Sequence, residues 1–347
     1  MTKPQRAVDS AGCTALIEAS KNGHTEKVQM LLENGADPNM GDNKGWTSLI
    51  FASENGYAEV VDCLIKNGAD PNITGNEGRT PLMIASKNGH VKIVQMLLEH
   101  GADPNMGDKK RWTPNPNKVW TSINKGWTSL VFASENGHAE VVDCLLKNGA
   151  DPNIGDNWGC TALIEASKNG HVKIVQMLLE YGADPNMGDS EGWTSLIFAS
   201  ENGCAEVVDC LLKNGADPNI TDIVDEWAPL MLASSEGHIE IVKSLLNKGA
   251  DPDEINRIGR FAIELASSKG RIEIVDCLLK NGANPNNDNG AALMCASRNG
   301  YAEIVQLLLK HGADPNVKDN MGLSALNYAM KEKQSECVRI LNEYQKA

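Results

Sequence analysis

Short runs of apolar residues at helical spacing recur along this chain, and a glycine follows each run. In residues 45–72, which read GWTSLIFASENGYAEVVDCLIKNGADPN, the first run is Leu49, Ile50 and Ala52, and it stops at Gly56. This spacing is typical of a helix that buries one face, and glycine readily adopts the left-handed conformation that ends a helix. The pattern predicts a short helix, with Thr47 as its N-cap.

A second apolar run follows at once in the same segment. Val60, Val61, Leu64 and Ile65 lie on one face of a helix that is expected to start at Ala58. The Asn-Gly-Ala-Asp-Pro sequence that follows cannot continue it, because proline lacks the backbone N–H that a helix interior needs. The segment is therefore predicted to be a pair of short helices.

The pair repeats along the chain. The tetrapeptide G-A-[DN]-P occurs nine times, at successive spacings of 33, 33, 48, 33, 33, 34, 33 and 30 residues. This period is typical of a repeat solenoid. Isolated helices shorter than about 12–15 residues are marginal in water, so each pair has to bury its apolar face against the next pair.

Residues 78–105, GRTPLMIASKNGHVKIVQMLLEHGADPN, resemble the ankyrin repeat, and about ten such units cover nearly the whole chain. The resemblance implies an all-α solenoid of helix-turn-helix units joined by β-hairpin-type fingers. It also implies that finger tips and the first helices, which line a concave face in that family, contact partners. One departure is that apolar residues replace the family's usual histidine after Thr-Pro-Leu, namely Ile17, Ile50, Met83, Val131, Ile164, Ile197 and Met231.

The predicted organisation is an N-terminal tail over residues 1–9 and a single repeat domain over residues 10–347. Its repeats are expected to end near residues 39, 72, 105, 153, 186, 219, 253, 286 and 316, and a polar capping repeat follows over residues 317–347. A finger is numbered here by the repeat whose first helix follows it. Finger 9 is three residues shorter than the common period, which predicts a notch near residue 288.

Composition narrows the class of protein. The net charge of −14 repels phosphate backbones, so no direct binding of nucleic acid or anionic membrane is expected. Neither an apolar run of about 20 residues nor a secretory leader is visible, which favours an intracellular, most simply cytoplasmic, monomer with a protein partner. This negative charge favours a basic protein partner. The nine cysteines form no CxxC pair, and four share the VDCL position of the repeat.

The sequence contains no recognisable motif for catalysis, metal binding or cofactor binding. Five of the seven histidines occupy the position that opens the second helix, and the other two precede a glycine, so repeat geometry accounts for them all. No P-loop, nucleophile elbow, HExxH or dinucleotide fingerprint occurs. The chain is predicted to be no enzyme, with no catalytic residues, no metal site and no cofactor.

Aromatic residues recur at matched positions and are candidates for partner contact. Fingers 2, 4 and 6 share GWTSL, and their tryptophans and the phenylalanines of the helices that follow are Trp46, Trp127, Trp193, Phe51, Phe132 and Phe198. Exposed tryptophans anchor many interfaces. Packing onto a neighbouring repeat explains the same positions equally well, and the sequence does not separate the two.

Finger 4 is 15 residues longer than its equivalents. Its fragments RWTP, VWTS and GWTS look like stuttered copies of the finger sequence, and Asn-Pro-Asn within them opposes helix formation. An insertion at about 108–122 is therefore expected to project beyond the neighbouring fingers. Its charge is +4 over residues 108–125, and Arg111, Trp112 and Trp120 are candidate contacts. The alternative is a tolerated surface insertion with no role.

Residues 222–254 carry a net charge of −6 and include Asp222, Asp225 and Glu226. Such a run either attracts a basic partner or is only a solvated face. The sequence as a whole favours a non-catalytic protein–protein interaction scaffold that binds through finger tips and concave helices. The alternative is an acidic inhibitor or decoy that blocks a basic surface of a target protein, such as a nucleic-acid-binding one.

Overall fold

The computed structural model describes residues 14–108 and 126–345, which fall into two compact units, residues 1–184 and 185–347. The regular secondary structure of the described residues is almost entirely helical. Their α-helices, in chain order, are α1 Ala15–Lys21, α2 Thr25–Glu33, α3 Ser48–Asn55, α4 Ala58–Lys66, α5 Pro81–Lys87, α6 Val91–Glu99, α7 Ser129–Glu135, α8 Ala139–Lys147, α9 Ala162–Lys168, α10 Val172–Glu180, α11 Ser195–Glu201, α12 Ala205–Lys213, α13 Pro229–Glu236, α14 Ile239–Asn247, α15 Ala262–Ser268, α16 Ile272–Lys280, α17 Asn287–Asn299, α18 Ala302–Lys310, α19 Ala325–Lys331 and α20 Ser335–Tyr344.

Within each unit the helices stack as the repeat requires. First helices pack on first helices, α1 to α9 in one unit and α11 to α19 in the other, and each also packs on the second helix of its own repeat. The apolar face of a second helix is sealed in this way, and Val60, Val61 and Leu64 are fully buried. Each unit is an all-α repeat solenoid, which confirms the predicted fold class. The single domain over residues 10–347 stays a prediction.

First helices start at a side-chain cap in most repeats. In repeats 1 to 6 a threonine hydroxyl accepts a hydrogen bond from the backbone N–H three residues later, as Thr47 does from Ile50 at 3.4 Å. The side chains of Ala228 and Phe261 stand at the same point of repeats 7 and 8 and make no such bond. These two helices begin without the stabilisation, about 1 kcal/mol, that a side-chain cap typically gives.

The fingers are narrow turns. Where a strand-like pairing is present in the described residues it is a single antiparallel bridge, as between Gly41 and Thr47 or between Gly188 and Thr194. A carboxylate inside the turn accepts hydrogen bonds from its backbone. In finger 2 the Asp42 side chain accepts hydrogen bonds from the backbone N–H groups of Lys44 and Trp46, both at 2.8 Å. In fingers 2, 4 and 6 the β-hairpin-type finger of the prediction is thus a one-bridge turn braced by an aspartate.

An asparagine ladder joins successive repeats. In seven repeats the asparagine that ends the G-A-[DN]-P-N sequence reaches the next repeat, as when the Asn72 amide donates to the Gly101 carbonyl at 2.9 Å. Its side-chain oxygen accepts from the backbone N–H of Asp103, also at 2.9 Å. The same two bonds are made by Asn39, Asn72, Asn105, Asn153, Asn186, Asn219 and Asn286.

Repeat 7 has Asp253 at the asparagine position. Its carboxylate accepts from the backbone N–H of Asn284 at 2.9 Å and from the Asn287 amide at 2.7 Å. A carboxylate has no hydrogen to donate, so the bond that an asparagine would give to the Gly282 carbonyl cannot form. The ladder is therefore one hydrogen bond short at this step.

The histidine position also joins repeats. The ring Nε2 of His90 lies 3.2 Å from the Glu54 carbonyl oxygen at the end of the preceding first helix, and that of His138 lies 2.9 Å from the Lys87 carbonyl. A side chain at Gly56 would collide with the His90 ring at 2.9 Å. The histidines lie where the repeat geometry places them, packed against the glycine of the repeat before.

Finger 9 turns differently from the rest. Asp288, Asn289 and Gly290 all have positive φ, 41°, 51° and 74°, at the start of α17. A cavity of about 200 Å³ opens beside them, with Cys295, Arg298 and Tyr328 among its lining side chains. The notch predicted near residue 288 is this left-handed turn and the depression next to it.

A reciprocal exchange tests the asparagine ladder inside one unit. Asp253→Asn restores a donor to the Gly282 carbonyl, and we expect it to stabilise the fold by about 0.5–1.5 kcal/mol. Asn219→Asp removes the matching 3.1 Å bond to the Gly249 carbonyl and is expected to destabilise by a similar amount. Urea midpoints of the two variants and of the parent measure both shifts. If both variants shift in the same direction, the ladder does not work as described.

Candidate functional site

Each tryptophan of the GWTSL fingers packs on the phenylalanine of the helix that follows. The ring centroids are 5.1 Å apart in repeat 2, 5.1 Å in repeat 4 and 5.0 Å in repeat 6. These distances are typical of aromatic pairs that gain free energy beyond their buried area. The structure therefore brings the predicted residues together as three pairs, Trp46 with Phe51, Trp127 with Phe132 and Trp193 with Phe198.

Neighbouring fingers cover part of these rings. A side chain at Gly75 in finger 3 would meet Trp46 Cδ1 at 2.9 Å, so that ring lies close against the backbone of the next finger. Trp127 reaches finger 5, where its Nε1–H donates to the Asp156 carboxylate at 2.9 Å. The finger tryptophans thus have a packing role in these repeats.

The three pairs differ in how much surface they leave. Trp127 and Phe132 are 5% and 4% exposed, so they offer a partner almost no area. Both rings of the repeat 2 and repeat 6 pairs are half-buried and keep an exposed part. Of the three candidate pairs, only these two have surface free for contact.

Cations lie over two of the phenylalanine rings. The Lys21 ammonium is 5.6 Å from the Phe51 centroid, and the Arg79 guanidinium carbon is 5.4 Å from the Phe132 centroid. At the equivalent position of the first helices in repeats 1 and 5 the side chain is acidic, and Glu18 is exposed whereas Glu165 is buried. Repeat 2 therefore presents an aromatic pair with a cation beside it at the surface.

The base of finger 4 is closed on both sides of its insertion. Gly107 bridges Thr128, and the Asp108 carboxylate accepts from the backbone N–H groups of Gly126 at 2.7 Å and Trp127 at 2.8 Å. Burial raises the pKa of Asp108, although these two bonds and Arg79 oppose that shift. The candidate contacts Arg111, Trp112 and Trp120 lie outside the described residues.

The acidic candidates of finger 7 have different environments. Asp222 is 2% exposed, and its carboxylate accepts from the backbone N–H groups of Val224, Asp225 and Trp227. It is the brace of finger 7, equivalent to Asp42 in finger 2. Asp225 is exposed, and Glu226 forms an ion pair with Arg257 at 3.0 Å.

Several exposed side chains escaped the sequence reasoning. Trp158, at the tip of finger 5, is 40% exposed, but it lies outside the GWTSL position on which the sequence argument concentrated. Four aliphatic residues in fingers 7 and 8 are also exposed, although the most visible feature of the sequence there is its acidic charge. Their exposed fractions are 63% for Ile223, 48% for Val224, 48% for Ile255 and 62% for Ile258.

Burial disfavours the thiolate form at several cysteines of the described structure. Burial raises the pKa of the Cys63 and Cys144 thiols, and it raises the pKa of Cys295 to about 11. Because the thiolate is the nucleophile and metal ligand, this shift lowers reactivity.

Within residues 14–108 and 126–345 no three His, Cys, Asp or Glu side chains are grouped to hold a metal ion. No helix of these residues is long and apolar enough to span a membrane.

A pair of substitutions separates the brace of finger 7 from its exposed acid. Asp222→Ala leaves three backbone N–H groups without their acceptor, and we expect a loss of about 1–3 kcal/mol in the free energy of unfolding. Asp225→Ala removes an exposed carboxylate and should change stability by less than about 0.5 kcal/mol. Chemical denaturation measures both. Equal effects would show that Asp222 does not brace the finger.

The chain was compared with known proteins. The family model described as ankyrin repeats in three copies matches residues 16–108, 49–156, 112–189, 130–222, 196–289, 230–319 and 263–347. The comparison with curated proteins gives no match. The family matches together run from residue 16 to residue 347, which agrees with the stacked helix pairs and the G-A-D-P-N ladder. The protein therefore belongs to the ankyrin-repeat family, whose repeats commonly mediate protein–protein interaction.

Proposed function

We propose that this protein is a non-catalytic scaffold that binds a partner protein through its fingers and the adjoining first helices. The observation that carries the proposal is the recurrence of one aromatic pair, tryptophan on phenylalanine at 5.0–5.1 Å, with half-exposed rings in repeats 2 and 6. Trp158 adds a more exposed ring at the tip of finger 5. Large aromatic side chains at protein surfaces are the residues that most often dominate binding energy.

The geometry of the fingers suits this role. The turns of fingers 2, 4, 6 and 7 are braced by buried or half-buried carboxylates, and some neighbouring fingers are hydrogen-bonded, as when Asn76 N–H donates to the Lys44 carbonyl at 2.7 Å. Side chains held by such a frame lose little conformational freedom when a partner binds. The mechanism is therefore presentation of pre-positioned side chains, without a reaction step.

The insertion of finger 4 belongs to the same proposal. Lys109, Lys110, Arg111 and Lys118 stand near Trp112 and Trp120 in the sequence, and cations together with aromatic rings make good contact groups. The described residues on either side of the segment are joined, since Gly126 and Trp127 donate to Asp108, so the repeats do not depend on the segment between them. An extended finger of this composition supports a role in partner contact.

The acidic inhibitor or decoy is the second candidate function. Asp222 is occupied by backbone donors and Arg257 offsets part of the charge, so only some of the acids in this run are available. The observation in its favour is convergence of charge around Glu254. Its pKa is raised by burial and, in addition, by Asp251 and Glu226. A basic protein surface is the complement of such a field.

The tryptophans provide a matched test of partner contact. Trp158→Ala and Trp193→Ala remove an exposed and a half-exposed ring, and each should weaken binding of a partner captured from native extract by about tenfold or more. Trp158→Ala should change stability little, and Trp193→Ala, which also loses the contact with Phe198, should cost less stability than Trp127→Ala. Trp127→Ala removes a ring that is 5% exposed and its bond to Asp156, and it should cost about 3 kcal/mol of stability instead. Affinity is measured by calorimetry and stability by urea denaturation. Unchanged affinity in both surface variants contradicts the proposal.

Deletion of residues 109–123 tests the insertion. It joins Asp108 to Asn124 and recreates GDNKGWTSL, the sequence of finger 2, so the brace and the repeats should persist. We expect an unchanged urea midpoint and a clear loss of affinity for the captured partner. As a control for folding, the parent and the deletion variant should share one circular dichroism spectrum. Full affinity after deletion would mark the insertion as a tolerated duplication.

A further inference from the structure

Fingers 7 and 8 carry four exposed aliphatic side chains. Ile223 and Val224 lie in finger 7, and Ile255 and Ile258 lie in finger 8, with between 48% and 63% of each side chain exposed. These four residues are called the aliphatic patch below. Single exposed apolar residues are common on proteins, but four on two loops that are hydrogen-bonded to each other are a concentration of exposed apolar side chains of the kind that marks interaction sites.

Hydrogen bonds hold the two loops together. The backbone N–H of Arg257 donates to the Asp225 carbonyl at 2.9 Å, and its guanidinium donates to the Ile223 carbonyl at 3.3 Å. The same guanidinium pairs with Glu226 at 3.0 Å. Finger 7 is attached on its other side as well, since Ile223 N–H donates to the Glu191 carbonyl at 2.8 Å. The two loops that carry the aliphatic patch are therefore held in place by hydrogen bonds on both sides of finger 7.

Glu226 occupies a position that other fingers reserve for glycine. It precedes Trp227 as Gly45 precedes Trp46, and its φ is +61°, in the left-handed region. Glutamate in this conformation costs roughly 1 kcal/mol relative to glycine. Glycine would suit the turn better, so the glutamate side chain is kept there against the local conformational preference.

Acidic residues accompany the aliphatic patch in the sequence of both loops. Asp225 and Asp251 are exposed, Glu226 and Glu254 are partly exposed, and Arg257 is the cation between the two loops. These four acidic residues are called the acidic edge below. Anionic lipid and nucleic acid are repelled by that edge, and so is a surface of like charge. A complementary occupant is apolar on one face and basic on its flanks.

We propose that the aliphatic patch docks a basic amphipathic segment of a partner protein, with its apolar side chains on the four aliphatic residues and its lysines or arginines on the acidic edge. The proposal rests on the protein-binding function proposed above but uses a different surface from the tryptophan–phenylalanine pairs. It also replaces a purely electrostatic decoy by an apolar contact with an acidic edge, because Asp222 is not available for contact.

The first test uses three synthetic helical peptides of roughly 18 residues, long enough to lie across two fingers. One has a leucine face with lysine flanks, the second the same leucine face with glutamate flanks, and the third an alanine face with lysine flanks. Calorimetry with the full chain should show the first peptide binding at least about tenfold more tightly than either of the others. Its affinity should fall as salt rises from about 0.05 M to about 0.5 M. Equal binding of all three, or none by the first, overturns the proposal.

The second test maps the contact on the protein. Ile223→Ser with Ile258→Ser should weaken the leucine–lysine peptide by about tenfold or more, whereas Ile272→Ser on α16 and Met321→Ser in finger 10 should leave it unchanged. These control residues are 41% and 79% exposed, so they match the patch in character and not in place. Loss of binding in a control variant, or none in the double variant, contradicts the assignment.

Glu226→Gly gives an outcome that a merely structural role would not. It should raise the urea midpoint, because glycine relieves the left-handed strain, and yet weaken the peptide by about threefold or more. Glu226→Gln keeps the strain and should weaken the peptide without raising the midpoint. Trp158→Ala and Trp193→Ala serve to separate the two proposals. If they lose the captured partner but keep the peptide, the surfaces are independent, and failure of one leaves the other standing.

Discussion

The hydrogen bonds of the asparagine ladder are the interaction on which the rest of each unit depends. Helices of seven to nine residues do not persist alone, so a helix pair has to be held against its neighbour at one fixed spacing. Burial of leucine and valine supplies most of the free energy but is not directional. The asparagine side chain is directional, because it donates to the glycine carbonyl and accepts from the aspartate N–H of the next repeat. Only one register satisfies both bonds.

This register also explains why finger 4 can carry 15 extra residues. The ladder continues past the insertion, since the Asn105 amide still donates to the Gly149 carbonyl at 3.1 Å and accepts from Asp151 N–H at 2.8 Å. The finger base is closed by Asp108 in the same way as Asp42 closes finger 2. The stack is fixed by what lies on either side of a finger, and the finger length between those points is free to vary.

Sequence reasoning predicted the elements well and the surfaces poorly. Thr47 as a cap and Gly56 as a stop depend on neighbours within four residues, so the local sequence contains the information. The exposure of a tryptophan, in contrast, depends on residues of another repeat. Trp46 and Trp127 share the same motif, yet only Trp127 is fully buried, and it reaches Asp156, a residue of the next finger. Asp222 and Asp225 likewise belong to one acidic run, and only the turn geometry decides that the first is occupied and the second is exposed.

Repeats 7 and 8 break the local rules that repeats 1 to 6 obey. Their first helices lack a side-chain cap at Ala228 and Phe261, finger 7 has Glu226 in place of glycine, and Asp253 leaves the ladder one bond short. Each change costs stability, and repeats 1 to 6 show that the stack requires none of them. Natural sequences that depart from local preference in several ways at one place tend to do so at functional positions. The departures coincide with the aliphatic patch and its acidic edge, and this coincidence favours fingers 7 and 8 as a binding surface over a merely solvated acidic face.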